Sequence, residues 1–242
     1  EVVCKDVVVK FENSNALDGL TLSIPARTKV AVVGPSGAGK TTFLRLCQGF
    51  LRPNTGSMEI DGQNFRYLSL DNYRSQNTLI DGKPVFFGAT IEENLRKVQP
   101  GISQREFDEV LEISGLQKVL DQLPEGISTE INQFGMPLSQ GDRVTLALAR
   151  GLMADPRILL IDEALANLDK STQISFFENF SKISEMKTVI MATHDLRSTA
   201  HFEQIIVLEK GVVVGQGTHD ELLKTCELYQ ELWKMEKKLT GT

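Results

Sequence analysis

Hydrophobic and polar positions along this chain follow two different periods. Residues 2–11 (VVCKDVVVKF) and 20–33 carry β-branched, partly alternating runs, broken by the polar stretches ENSN and PARTK. That pattern predicts short strands separated by turns. Residues 40–50 follow a glycine-rich loop with helical spacing, and GSMEIDGQNF, 56–65, predicts a strand that turns back at Asp61-Gly62. Across 91–154 the period lengthens. TIEENL, SQREFDEVLEISGL and QKVLDQL have helix spacing, with loops at PGIS and PEGIST. Beyond it RILLIDE (157–163), TVIMAT (188–193) and QIIVLEKGVVVGQG (204–217) are apolar runs separated by helical patterns. Such alternation implies βα units and a parallel sheet, with the helical stretch inserted into an α/β core. The chain shows neither an internal repeat nor a low-complexity tract.

Within the helical stretch, MPLSQGDRVTLALARGL passes directly from a polar opening to an apolar helix. Ser139 is a good N-cap, and Asp142 three residues on completes a variant of the capping box. Val144, Ala147, Leu148 and Gly151 then share one buried face.

Composition narrows the function classes. At 242 residues with 41% hydrophobic content the chain is able to bury a sizeable core. A net charge of -6 and a pI near 5.2 argue against a surface for duplex nucleic acid. Cys4, Cys47 and Cys226 lack metal-type spacing and read as reduced thiols of a cytosolic protein. No apolar run reaches the roughly 18 residues of a membrane span. Because the chain starts at Glu1, already near a strand pattern, a domain of a longer polypeptide is expected.

The candidate chemistry lies in three places. VAVVGPSGAGKTT, 30–42, satisfies G-x-x-x-x-G-K-[ST] with Gly34, Gly39, Lys40 and Thr41, between an apolar strand and a helix. Its backbone from Gly34 through Pro35, Ser36, Gly37, Ala38 and Gly39 to Thr42 suits an anion. Lys40 reaches terminal phosphates, and Thr41 offers a hydroxyl to Mg²⁺. RILLIDE ends in two carboxylates: Asp162 for the Mg²⁺ ion, and Glu163, directed elsewhere, to polarise an attacking water. TVIMATHD places His194 at a third strand end, where a ligand-facing polar group is expected. His201 and His219 have no such placement and read as surface residues.

In their order and spacing, GPSGAGKTT, LSQGD, ILLIDEALANLD and THD resemble the nucleotide-binding domain of ATP-binding cassette (ABC) transporters over essentially the whole chain. The resemblance implies an α/β fold: a P-loop NTPase core with a mixed, largely parallel sheet, an N-terminal antiparallel β subdomain and an inserted helical subdomain. The core would take 1–83 and 155–242, and the helical subdomain 84–154. It further implies ATP and Mg²⁺ as ligands, His194 as a switch histidine sensing the γ-phosphate, ANLD as a D-loop, and Phe11 stacked on adenine. Ser139 and Gly141 would face ATP held by an opposite subunit, so that a helix cap and a ligand surface coincide.

Four stretches depart from the family pattern or qualify it. Gln140 replaces the usual first signature glycine; if that position needs positive φ, the cost is on the order of 1 kcal/mol. Asp142 replaces a glutamine and brings negative charge towards a triphosphate unless its side chain is held on the cap. Gly82 stands where the family has a Mg²⁺- and water-contacting glutamine, with Gln76 six residues too early and Asp81-Gly82 reading as a tight turn. TEINQFGMPLS looks like a degraded form of an exporter loop that meets the membrane domain, and GQGTHDELLKTCELYQELWKM is similar to an exporter C-terminal tail.

The resemblance therefore implies an ATPase powering export from the cytoplasmic face of a membrane, as a head-to-tail homo- or heterodimer joined to a transmembrane domain expected upstream. The likeness is to peptide and protein secretion exporters. Two alternatives stay open: a catalytically weakened partner in an asymmetric heterodimer, and a nucleotide-dependent regulatory module. A DNA-repair ATPase would require long coiled-coil segments, which the sequence lacks.

Overall fold

Neighbouring residues of a strand point to opposite faces of its sheet, so a run that is apolar at every position needs a core on each side. The chain builds two such cores. The computed structural model describes residues 1–12, 14–184 and 187–240, without the side chains of 167, 175, 179–184, 239 and 240. Asn13, within the expected ENSN break, lies outside the described residues.

The first half comprises β1 (Val2–Phe11), β2 (Ser14–Ile24), β3 (Lys29–Val33), α1 (Lys40–Cys47), β4 (Thr55–Ile60), β5 (Gln63–Asn64), α2 (Leu70–Arg74) and β6 (Asn77–Asp81). Next come β7 (Ala89–Thr90), α3 (Ile91–Arg96), α4 (Gln104–Ser114), α5 (Leu116–Leu120), β8 (Glu130–Ile131) and α6 (Gln140–Met153). The chain then runs through β9 (Ile158–Asp162), α7 (Lys170–Ser184), β10 (Thr188–Ala192), β11 (Gln204–Glu209), β12 (Val212–Gly217), α8 (His219–Thr225) and α9 (Glu227–Thr240). Among the described residues the strands form three sheets. One is antiparallel in the order β2-β1-β4-β5, one has the order β12-β11-β3-β10-β9-β6, and β7 pairs with β8. In the six-stranded sheet all neighbours are parallel except the edge strand β12, which runs antiparallel to β11.

Period-two alternation sorts the central strands between the cores. Ala31, Val33, Leu159, Ile161, Val189, Met191, Ile205 and Val207 share one core with apolar residues of α3 to α6, α8 and α9. The intervening Val30, Val32, Ile158, Leu160, Ile190, Ala192, Ile206 and Leu208 pack against α1 and the antiparallel sheet. Because β3, β6, β9 and β10 run parallel, their carboxyl ends share one edge, and the candidate residues follow those ends.

Several local expectations change. β2 begins at Ser14, inside the expected polar break, because Lys10 and Phe11 pair across to Asn15 and Ser14. α1 stops at Cys47, short of Phe50. QIIVLEKGVVVGQG is a hairpin, β11 and β12, turning at Lys210-Gly211 with both residues at positive φ. The predicted turn at Asp61-Gly62 is present and joins β4 to β5. The region 91–154 is less helical than its pattern suggests, since β8 interrupts it. β6 was not predicted: its sequence NTLID is too short and polar to stand out, yet it pairs in register with β9 from Asn77↔Ile158 to Asp81↔Asp162.

α6 is buried on more than one face, since Thr145, Leu146, Ala149 and Met153 join the predicted positions. It lies so close to β6 that a Cβ on Gly151 would meet Ile80 Cδ1 at 3.0 Å and Thr78 Cγ2 at 3.1 Å. Gly151→Leu is therefore expected to cost about 1–3 kcal/mol by overpacking, read as a lower urea midpoint. An unchanged midpoint would contradict this packing.

Candidate active site

The loop after β3 is shaped by two glycines. Gly34 has φ +150, and a Cβ there would lie 2.1 Å from the Leu208 carbonyl oxygen. Gly39 has φ +104, and its Cβ would lie 2.7 Å from the Ala16 carbonyl oxygen. A side chain at either position would push the loop off the strands behind it. The β11–β12 turn braces it from below: Gly211 N–H donates to the Ala38 carbonyl at 2.9 Å, and Asp18 N–H to the Gly211 carbonyl at 3.0 Å.

Lys40 starts α1 inside this loop and is only 4% exposed. Its Nζ donates to the carbonyls of Gly34 at 3.0 Å and Pro35 at 3.2 Å. It also lies 3.5 Å from Glu163 Oε1 and 3.4 Å from His194 Nε2. Burial lowers the Lys40 pKa, and the Glu163 charge opposes that shift. Thr41 Oγ1 donates to Asp162 Oδ1 at 3.2 Å. Burial raises the Asp162 pKa, with the Thr41 hydrogen bond working against it.

Glu163 leaves the direction of β9. Its backbone is left-handed at φ +52 while its N–H donates to the Ala192 carbonyl at 3.0 Å. A non-glycine residue in that region is strained, and here the strain turns the carboxylate into the cleft. His194 Nε2 meets Glu163 Oε1 at 2.7 Å, which puts the ring proton on Nε2. His194 is anchored on both sides: Thr193 N–H donates to the Val32 carbonyl at 3.1 Å, and Asp195 N–H to Thr193 Oγ1 at 3.0 Å.

Ser36, Gly37, Ala38, Gly39, Lys40, Thr41 and Thr42 thus share one open cleft with Glu163 and His194. Ala16 of β2 joins its wall. Ala16 carried no sequence signal, because a methyl side chain on a strand marks no chemistry. Phe11 is not part of this wall. It closes the β1–β2 hairpin opposite Ser14, with 46% of its surface exposed.

Ser139 and Gly141 lie outside the cleft, at the start of α6. Ser139 Oγ accepts the Asp142 N–H at 3.2 Å and donates to Asp142 Oδ2 at 2.6 Å, while Ser139 N–H donates to the same oxygen at 3.2 Å. The Asp142 carboxylate is thus folded back on the cap. Gln140 is the first helical residue and not a positive-φ position, so the penalty expected for its side chain does not arise.

Gly82 directly follows β6, whose last residue, Asp81, pairs with Asp162. Asp81 Oδ1 accepts the Lys83 N–H at 2.8 Å, an Asx-type bend where the tight turn is predicted. Gln76 is at the opposite end of β6, where its carbonyl accepts the Arg157 N–H at 2.7 Å. The loop 129–139 pairs β8 with β7, and Phe134 and Met136 are exposed beside exposed Val85 and Phe87. His201 stacks on Phe177 with centroids 4.5 Å apart. His219 is half-buried rather than a plain surface residue, with Nδ1 2.7 Å from the Tyr229 hydroxyl. All three cysteines are buried free thiols. No helix among the described residues is long and apolar enough to cross a membrane.

The sequence profile of the family described as ABC transporter matches residues 17–166. The chain belongs to the ABC transporter family. It is that family's nucleotide-binding ATPase domain. The chain is 34% identical to the mitochondrial iron-sulfur clusters transporter atm1 of Neurospora crassa, over 99% of this chain and 34% of that protein. It is 31% identical to the uncharacterized ABC transporter ATP-binding protein YfiC of Bacillus subtilis, over 95% of this chain and 38% of that protein. It spans between a third and two fifths of the length of these two relatives. A solved bacterial Atm1-family ABC exporter with ATP bound superposes with a TM-score of 0.92 at 33% identity, covering 97% of this chain and 41% of that one. The N-terminal antiparallel sheet, the mixed core sheet and the helices between them are the architecture of this ABC ATPase domain.

In this ABC domain Lys40→Ala removes the buried lysine of the cleft and is expected to weaken ATP binding by about 10- to 100-fold, the scale of a charge-assisted hydrogen bond. Titration calorimetry reads it directly. Unchanged affinity would contradict the role given to the 34–41 loop.

Proposed function

We propose that the chain is the ATP-hydrolysing motor of a membrane exporter, working on the cytoplasmic face as a head-to-tail dimer with ATP sites shared between its members. The observation that carries this reading is the convergence of Lys40, Glu163 and His194 at one cleft, next to the Thr41–Asp162 pair. Ser139 and Gly141 stand apart from it, at a helix start suited to a phosphate of a second member, either another copy or a related chain.

The loop 34–41 binds the phosphates of ATP through backbone N–H groups, and Lys40 exchanges its Glu163 contact for phosphate oxygens. Phe11, exposed on the hairpin whose Ala16 walls the cleft, supplies a ring for adenine. The Thr41 hydroxyl and Asp162 carboxylate, two oxygen donors 3.2 Å apart, fit a hard divalent cation. They would hold Mg²⁺, which supplies positive charge against the phosphates during transfer. Glu163, released from Lys40, orients the attacking water and takes its proton. His194, with its proton on Nε2, holds the Glu163 carboxylate before ATP enters and reports the γ-phosphate afterwards.

Exposed Val85, Phe87, Phe134 and Met136 give the membrane domain an apolar surface near Gly82, so contact with that domain does not depend on a glutamine at 82. The shared sites require ATP for closure of the dimer, and hydrolysis reopens it.

Glu163→Gln keeps the size of the side chain and removes the base. Turnover is expected to fall about 10²- to 10⁴-fold while Mg-ATP binding persists and an ATP-bound dimer accumulates on size exclusion. Turnover near that of the parent chain would remove Glu163 from this role.

A further inference from the structure

The segment just after His194 is tied to the C-terminal helices by a buried chain of hydrogen bonds. Tyr229, in the first turns of α9, is 0% exposed, yet its hydroxyl has two partners: His219 Nδ1 at 2.7 Å and Thr199 Oγ1 at 3.0 Å. Thr199, 1% exposed, donates its own proton to the Leu196 carbonyl. Each hydroxyl has one proton, which fixes the direction of the chain. Thr199 spends its proton on Leu196, so Tyr229 donates to Thr199 and accepts from a proton on His219 Nδ1. The chain therefore runs from His219 through Tyr229 and Thr199 to the backbone of Leu196, two residues after His194. Linked donors of this kind polarise one another. Burial raises the Tyr229 pKa, so the phenol keeps its proton at neutral pH.

A second strut reaches the same place. Arg197 Nε lies 2.9 Å from Asp195 Oδ1 and 3.4 Å from Glu236 Oε1, connecting α9 to the residue next to His194. On its other side, the 3-10 turn Leu196–His201 is held by α7 through the Phe177–His201 stack. Between β10 and this turn only Thr193, His194 and Asp195 are left to set the ring.

We propose that Tyr229 is a positioning residue for His194, so that the helix pair α8–α9 sets the rate of hydrolysis from outside the cleft. The inference rests on the role given to His194 above. Tyr229 never touches ATP; it holds the backbone turn from which His194 reaches Glu163.

The test uses Tyr229→Phe, which retains the buried ring and removes only the hydroxyl, with Thr199→Val as an independent break in the same chain. Each is expected to lower kcat about fivefold at unchanged KM for ATP, the scale of one lost hydrogen bond, and the double variant to lose no more than either alone. The chain has only three histidines, so ring ¹⁵N labelling resolves His194 directly, and its resonance should move in both variants. Parent-like kcat in both variants overturns the proposal, as does a lower kcat with an unmoved His194 resonance. His194→Ala separates the two levels. If it turns over ATP like the parent chain, the proposed role of His194 falls; if it is impaired while Tyr229→Phe and Thr199→Val are not, only the positioning role falls.

Discussion

The ammonium of Lys40, held almost out of water, is the constraint from which the rest of the site follows. A buried cation needs partners, and three surround it here: two carbonyls of its own loop and the Glu163 carboxylate. The carbonyls hold the ammonium in place, while the carboxylate occupies a position that a phosphate suits equally well. On the proposed reading a polyanion takes the carboxylate's place beside Lys40, and the freed Glu163 carboxylate keeps the His194 Nε2 proton as its partner.

The sheet is what brings those partners together. Two apolar cores sandwich strands that are greasy at every position, and parallel order puts the ends of β3, β9 and β10 side by side. Lys40, Glu163 and His194 are far apart in the chain, yet each follows the end of one of these adjacent strands. Glu163 adds the one strained step, a left-handed backbone that bends its carboxylate towards Lys40.

What the residues revealed in advance was what local chemistry dictates. The 34–41 loop is written in consecutive positions whose glycines, lysine and threonine have no common alternative purpose, and the Ser139–Asp142 cap follows from a spacing of three. Long-range pairing was less visible. β6 is legible only beside β9, and Ala16 joins the cleft wall only once β2 is placed beside the loop. Phe11 is exposed at the end of the β1–β2 hairpin, paired with Ser14. The concern over Gln140 disappears because it is the first residue of α6, with no positive φ to strain its side chain. His219 looked like a surface residue since its partner, Tyr229, lies on another helix.

A site divided between two chains has a kinetic signature that a self-contained one lacks. The most direct measurement is ATP turnover per chain as a function of chain concentration at saturating Mg-ATP. Turnover per chain that rises with concentration and then levels off is the predicted result, because in the proposed dimer Ser139 and Gly141 come from a second chain. A constant turnover per chain from the most dilute sample upward would contradict sites shared between two copies of this chain.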